Sequence, residues 1–115
     1  MQLDNPTITW NPVCSLDDIL PNTGICALVN DKPVAVFHVK GKEEKLFAID
    51  NYDPNANASV LSRGLIGSLG QRVVVASPIY KHHFCLESGE CLEAPHNSVN
   101  AYPVRVEDRM VLIAA

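Results

Sequence analysis

No apolar run in this 115-residue chain approaches the ~20 residues a membrane-spanning helix needs, which argues against insertion in a bilayer. The start Met1-Gln2-Leu3-Asp4-Asn5-Pro6 has neither the basic nor the apolar region of a signal peptide, so the chain reads as cytoplasmic. Basic residues are few: nine Lys and Arg stand against thirteen Asp and Glu, for a net charge of −4. That balance excludes a phosphate-backbone partner, which requires clustered Lys and Arg. Charged residues make up 19% and hydrophobic ones 47%, the mixture of a globular domain and not of a disordered tail. The chain contains no internal repeat, low-complexity tract or linker, and its length suits one compact core, so a single domain over residues 1–115 is expected.

Helical periodicity is also scarce. A Ser15 cap followed by Asp17 and Asp18 supports one turn before Pro21 stops it. The rest reads as strands: Thr7 to Trp10, Ile25 to Val29, Val34 to Val39 and Leu46 to Ile49. The middle two are joined by a turn at Asn30-Asp31-Lys32-Pro33, which makes a three-strand meander. Residues 50–70 break any period with Asn, Ser and Gly and form a long excursion of the kind that carries function or its own packing. Arg72 to Ala76 is a continuous apolar strand, expected to be covered on both faces. Ile79 to Leu86 reads as a further strand, Tyr102 to Glu107 alternates as one half of a hairpin, and Met110 to Ile113 closes it across Asp108-Arg109. The fold class expected is all-β.

Four cysteines, Cys14, Cys26, Cys85 and Cys91, are expected to be free thiols, given no export signal. Cys26 lies in the run Ile25 to Val29 and is expected to be buried as a small hydrophobe. A two-residue Ser88-Gly89 loop would pair Cys85 with Leu92, and a three-residue loop would pair it with Cys91; both registers stay open. His82, His83, Cys85 and Cys91 supply metal-ligand types within ten positions. Adjacent strand residues point to opposite faces, however, so His82 and His83 are not expected to share an ion. His38 is expected to be a strand histidine with a hydrogen-bonded or solvated ring, and His96 an exposed loop residue. Asp50 and Asp53 are read as loop carboxylates making local backbone hydrogen bonds, not as a catalytic pair. Ser77 has no nucleophile elbow, and Arg63 and Lys81 are cations with interface or solvated roles.

The stretch from Ser77 to Cys91 resembles the second cluster loop of a Rieske iron–sulfur protein, whose loops carry Cys-x-His and Cys-x-x-His ligand pairs. At the matching positions stand Asp53 and Asn55 in the first loop and Ser77 and Tyr80 in the second, with Lys81 where the family has Gly. Pro54, Pro78, Phe84 and the turn Leu86-Glu87-Ser88-Gly89-Glu90 remain. Three blocks carry a closer resemblance: Cys14 to Leu28, Ser59 to Ile66, and Val75 to Pro78 continued by Lys81, Phe84, Leu86, Gly89 and Cys91. Through them nearly the whole chain is similar to the small subunits of bacterial NAD(P)H-dependent nitrite reductases.

That resemblance implies a Rieske-like fold of small antiparallel sheets, a sandwich or partial barrel, with two former cluster-binding loops. It implies no cofactor, metal or catalytic residue in this chain. The partner it implies is a large subunit carrying FAD, a four-iron four-sulfur cluster and the siroheme that reduces nitrite to ammonium. The loops 53–61 and 77–84 are expected to dock against that subunit through Asn55, Tyr80, Lys81, His82 and His83. Two other readings are an electron-carrying ferredoxin and a regulatory domain that senses redox state through Cys85 and Cys91.

Overall fold

A computed structural model of the chain describes residues 9–115. The Thr7-Ile8 part of the first expected strand lies outside them. Strand β1 (Trp10–Ser15) ends in a 3-10 turn, Leu16–Asp18, because Ser15 builds a capping box. Its Oγ accepts from the Asp17 amide at 3.2 Å, and Asp18 Oδ2 accepts from the Ser15 amide at 3.1 Å. The single expected turn is there.

The meander β2 (Thr23–Val29), β3 (Lys32–Lys40) and β4 (Glu44–Asp50) follows, with β2–β3 joined by a two-residue loop. Asn30 and Asp31 both take positive φ, +52° and +65°, the conformation that matches strand twist in a type I′ turn and that Asn and Asp tolerate. Strand β3 starts earlier than expected, at Lys32, so Pro33 lies inside the strand opposite Leu28. Alternation along β3 divides its side chains between two cores. Ala35 and Phe37, with Ile49, face Leu61, Val75, Phe84, Leu86 and Cys91. Val34 and Val36, with Ala48, face Ile19, Val29, Val111 and Ile113.

The second core is closed by a three-stranded sheet of β1 with the hairpin described below. The first is closed from residue 50 onward by β5 (Tyr52–Asp53), β6 (Ala58–Ser59), a 3-10 turn Leu61–Arg63, β7 (Leu65–Leu69), β8 (Arg72–Ala76) and β9 (His83–Cys85). Gly64 lets the 61–63 turn lie on β8, since a Cβ there would come within 2.6 Å of Val75 Cγ2 and also strike the Ala76 carbonyl. Val74 and Val75 are both buried, as expected of a strand covered on two faces. The 50–70 excursion is more regular than its composition announces: β7 is a full edge strand whose exposed Leu65, Gly67, Ser68 and Leu69 hide its pattern.

Four other expectations are corrected. The segment Tyr102 to Glu107 is not one strand. It splits at Pro103, which has no N–H to continue a ladder, into β10 (Ala101–Tyr102) on β4 and β11 (Val104–Glu107) on β12 (Met110–Ala114). Ile79 to Leu86 is a strand only from His83, because residues 78–80 form a turn and Lys81 takes φ +58°. Cys26 is exposed, because β2 is a sheet edge and the face carrying Cys26 and Leu28 extends past the core. Neither register considered for Cys85 occurs: Phe84 bridges Cys91, and Cys85 accepts from Gly89 and donates to Glu90 within a wider turn.

Candidate functional site

The β5–β6 loop and the β8–β9 loop meet at one end of the molecule and bring the four former ligand positions into view. Asp53 and Ser77 are fully buried, at 0% and 1% exposure, and Ser77 Oγ donates to Asp53 Oδ2 at 2.5 Å. The other oxygen, Asp53 Oδ1, accepts from the Asn55 amide at 2.9 Å and from Asn55 Nδ2 at 3.3 Å. Asn55 in turn reaches a third loop. Its Oδ1 accepts from Asn97 Nδ2 at 2.8 Å, while its Nδ2 approaches Cys91 Sγ at 3.6 Å. Cys91 is held from the same loop, its amide donating to Ser98 Oγ at 2.9 Å.

Ser77 also closes its own loop. Its amide donates to the His82 carbonyl at 2.9 Å and its carbonyl accepts from the Lys81 amide at 3.0 Å. This tight closure leaves Pro78, Ile79, Tyr80 and Lys81 exposed, with Ile79 at 45% and Tyr80 at 62%. Lys81, standing where a glycine is usual, keeps the left-handed backbone that glycine would adopt without cost. The result is a closed knob with an apolar tip on a polar base.

The candidate residues therefore separate. Tyr80 and Lys81 are free on the surface, but Asn55 turns inward into the buried network. His83 is half-buried and committed to Glu93, whose Oε2 lies 2.6 Å from Nδ1 and whose Oε1 accepts the His83 amide at 2.7 Å. The same contacts lower the Glu93 carboxyl despite the opposing effect of burial. His82 Nδ1 is buried without a hydrogen-bond partner, the only such side-chain atom among the described residues. Sequence reasoning missed Ile79, which it placed in a strand, and Asn97, whose role depends on a contact 42 positions away. The Pro78 before Ile79 and the glycine position after Tyr80 were the available signals of a turn.

Asp50 and Asp53 diverge. Asp50 binds elsewhere, accepting from Tyr102 Oη at 2.5 Å and the Asn100 amide at 2.9 Å, with Lys32 Nζ at 3.1 Å. Burial raises its carboxyl, but these three donors outweigh it and hold the group below the usual carboxylate range. His38 is buried, as a hydrogen-bonded strand histidine, between the Ile19 carbonyl and Glu44, and His96 is exposed. Cys85 is buried, which raises its thiol, but the Ser88 hydroxyl and the Ser88 and Glu87 amides bring it below the ordinary value. All four cysteines are free. Among the described residues no three His, Cys, Asp or Glu side chains are grouped to hold a metal ion. A groove of about 370 Å³ is lined by Leu16, Glu44, Leu46, Val104, Arg105 and Val106, none of them from the two loops.

A two-iron two-sulfur cluster of the Rieske type takes two Cys on one iron and two His on the other. The residues present do not fit it. The two positions that would serve one iron are hydrogen-bonded to each other, Asn55 is occupied by three partners, and Tyr80 projects into solvent.

Fold and site together define a Rieske-like domain with Asp, Asn, Ser and Tyr, and no Cys or His, at positions 53, 55, 77 and 80. A family model described as a Rieske-like [2Fe-2S] domain matches residues 9–114. The small subunit of NADH nitrite reductase from Escherichia coli K12 is 46% identical over 102 residues, covering 89% of this chain and 94% of that one. The solution structure of the E. coli protein NirD superposes with a TM-score of 0.87 at 43% identity, over 95% of this chain and 98% of that one. The chain belongs to the family of NADH nitrite reductase small subunits, accessory chains of an oxidoreductase. The nitrite reductase NAD(P)H large subunit of Klebsiella oxytoca is 35% identical over 108 residues, which are 94% of this chain and 11% of that longer one.

Proposed function

We propose that this chain is the cluster-free small subunit of a cytoplasmic NAD(P)H-dependent nitrite reductase, acting as one folded domain that supports a catalytic large subunit. The observation that carries the reading is the Klebsiella oxytoca relative, in which a domain of this kind occupies 11% of a large-subunit chain. A module found within one polypeptide in that protein serves here as a separate, non-covalent partner. In this reading the large subunit holds FAD, a four-iron four-sulfur cluster and siroheme, and nitrite is reduced to ammonium there. The small chain supplies no reacting group. It supplies shape: the knob at residues 77–82 presents Ile79 and Tyr80 beside Lys81, an aromatic and aliphatic anchor with a charged edge, the composition of a binding hot spot.

The test is affinity for the large subunit. Replacing Ile79 and Tyr80 together by Ser, both exposed and outside the two core clusters, is expected to weaken binding by about tenfold or more while leaving the thermal midpoint in place. Nitrite reduction would fall in parallel at limiting small subunit and recover when that subunit is in excess. Binding unchanged by this double substitution rules out the knob as the docking surface.

A further inference from the structure

We propose that the buried Ser77–Asp53 hydrogen bond takes over the mechanical role that an iron ion plays in cluster-bearing Rieske domains, locking the two loops into one rigid tip without metal. The inference rests on the docking role just given to that tip. Each Rieske loop supplies one Cys and one His, and both Cys bind the same iron, so a Cys–iron–Cys bridge ties loop to loop. Asp53 and Ser77 stand at those two Cys positions. Their side chains now meet directly at 2.5 Å, both out of contact with solvent. Two sulfur ligands on one tetrahedral ion with bonds of about 2.3 Å lie roughly 3.8 Å apart, so the present 2.5 Å contact is a closed link with the ion's place removed.

The link is central to both loops. Ser77 is the residue on which the 77–82 loop closes, through its amide to His82 and its carbonyl to Lys81. Asp53 is the residue on which the first loop closes, through Oδ1 to the Asn55 amide. One bond between them therefore couples two closed turns. Asn55, at a former His position, extends the link to the 95–98 loop through Asn97 and so gathers a third segment that an iron centre does not hold. Tyr80, the other former His position, is released from the interior and becomes part of the exposed tip. A satisfied side-chain hydrogen bond in a dry site is strengthened by the low local dielectric, and leaving either partner unpaired there is costly. The exchange of metal for hydrogen bonds makes the tip's shape independent of iron supply and redox state.

Residue-resolved amide hydrogen exchange on the full chain, combined with affinity for the large subunit, tests this. In Ser77→Ala the amides of Asn55, Ser77 and Lys81 are expected to exchange about tenfold faster or more, while those of β3 remain within about twofold. Ser77→Thr, which keeps the hydroxyl, is expected to restore protection at the same amides. If Ser77→Ala does not fold, Asp53→Asn, which keeps an acceptor oxygen without its charge, carries the same comparison at smaller amplitude. Unchanged exchange in the two loops overturns the lock, and so does an equal rise throughout β3, which would mark general destabilisation. Faster loop exchange with unaltered affinity for the large subunit would leave the lock standing and remove the docking role, so the two readings fail separately.

Discussion

At the residue scale, the buried carboxylates are satisfied by different donor sets: Asp53 accepts from the local Asn55 amide and the distant Ser77 hydroxyl, and Asp50 from distant donors alone. Asp50 ties β4 to β10 and to the start of β3 through Tyr102, Asn100 and Lys32. Because its folded-state carboxyl is held below the unfolded value of roughly 3.9, its charge contributes stability above that pH and loses the contribution as pH falls through the folded value. Asp50→Asn is expected to cost about 1–3 kcal/mol at neutral pH. The gap to the parent should shrink near pH 3, and urea unfolding at the two pH values checks this; an equal gap at both would show that the charge is irrelevant. The acidic residue at position 50 was visible in the sequence, but its partners lie 18 to 52 positions away and only folding brings them to it.

At the scale of elements, turns carry the distinctive features. Two hairpins use paired positive φ at Asn30-Asp31 and Asp108-Arg109, and both turns were legible from local chemistry. The 77–82 loop was legible in part: its resemblance to a Rieske loop placed Lys81 at a glycine position, and the backbone there is left-handed. A non-glycine residue in that conformation costs roughly 1–2 kcal/mol, offset in part by the greater unfolded-state entropy of glycine. Lys81→Gly is therefore expected to raise stability by about 0.5–1 kcal/mol, read as a higher denaturation midpoint. A lower midpoint would mean that the Lys81 side chain stabilises the loop more than its backbone strains it. The strand expected over Ile79 to Leu86 failed for a physical reason: β-branched and aromatic residues favour strands only where a neighbour covers them, and Pro78 with the left-handed Lys81 turns Ile79 and Tyr80 away from one.

At the scale of the whole molecule, β3 decides the architecture. Its alternate residues belong to different cores, so neither core persists if β3 leaves the sheet. We therefore expect one cooperative unfolding transition, with a calorimetric to van't Hoff enthalpy ratio of about 1. Two separable transitions would show that the chain is not a single folding unit. The two sheets that close the cores lie on opposite faces of the meander, and at Pro103 the chain passes from the meander sheet, where β10 pairs with β4, to the sheet of β1 and β12, where β11 pairs with β12. The end of the molecule that carries Asp53, Asn55, Ser77 and Tyr80 is built from the β5–β6 and β8–β9 connections, and it touches the first core through the contact of Asn55 with Cys91.

The sequence by itself determined the all-β class, the meander and the hairpin turns at Asn30-Asp31 and Asp108-Arg109, because each follows from local residue type or spacing along the chain, and its resemblance to known small subunits pointed to the family. Only the tertiary structure decided how the residues at the matching ligand positions are bonded. Asp53 and Ser77 are 24 positions apart, Asn55 and Asn97 are 42 apart, and their hydrogen bonds exist only where folded loops converge. It also decided that Cys26 is exposed and Ile79 projects, since burial depends on which neighbours cover a face and not on the apolar character of the run containing it.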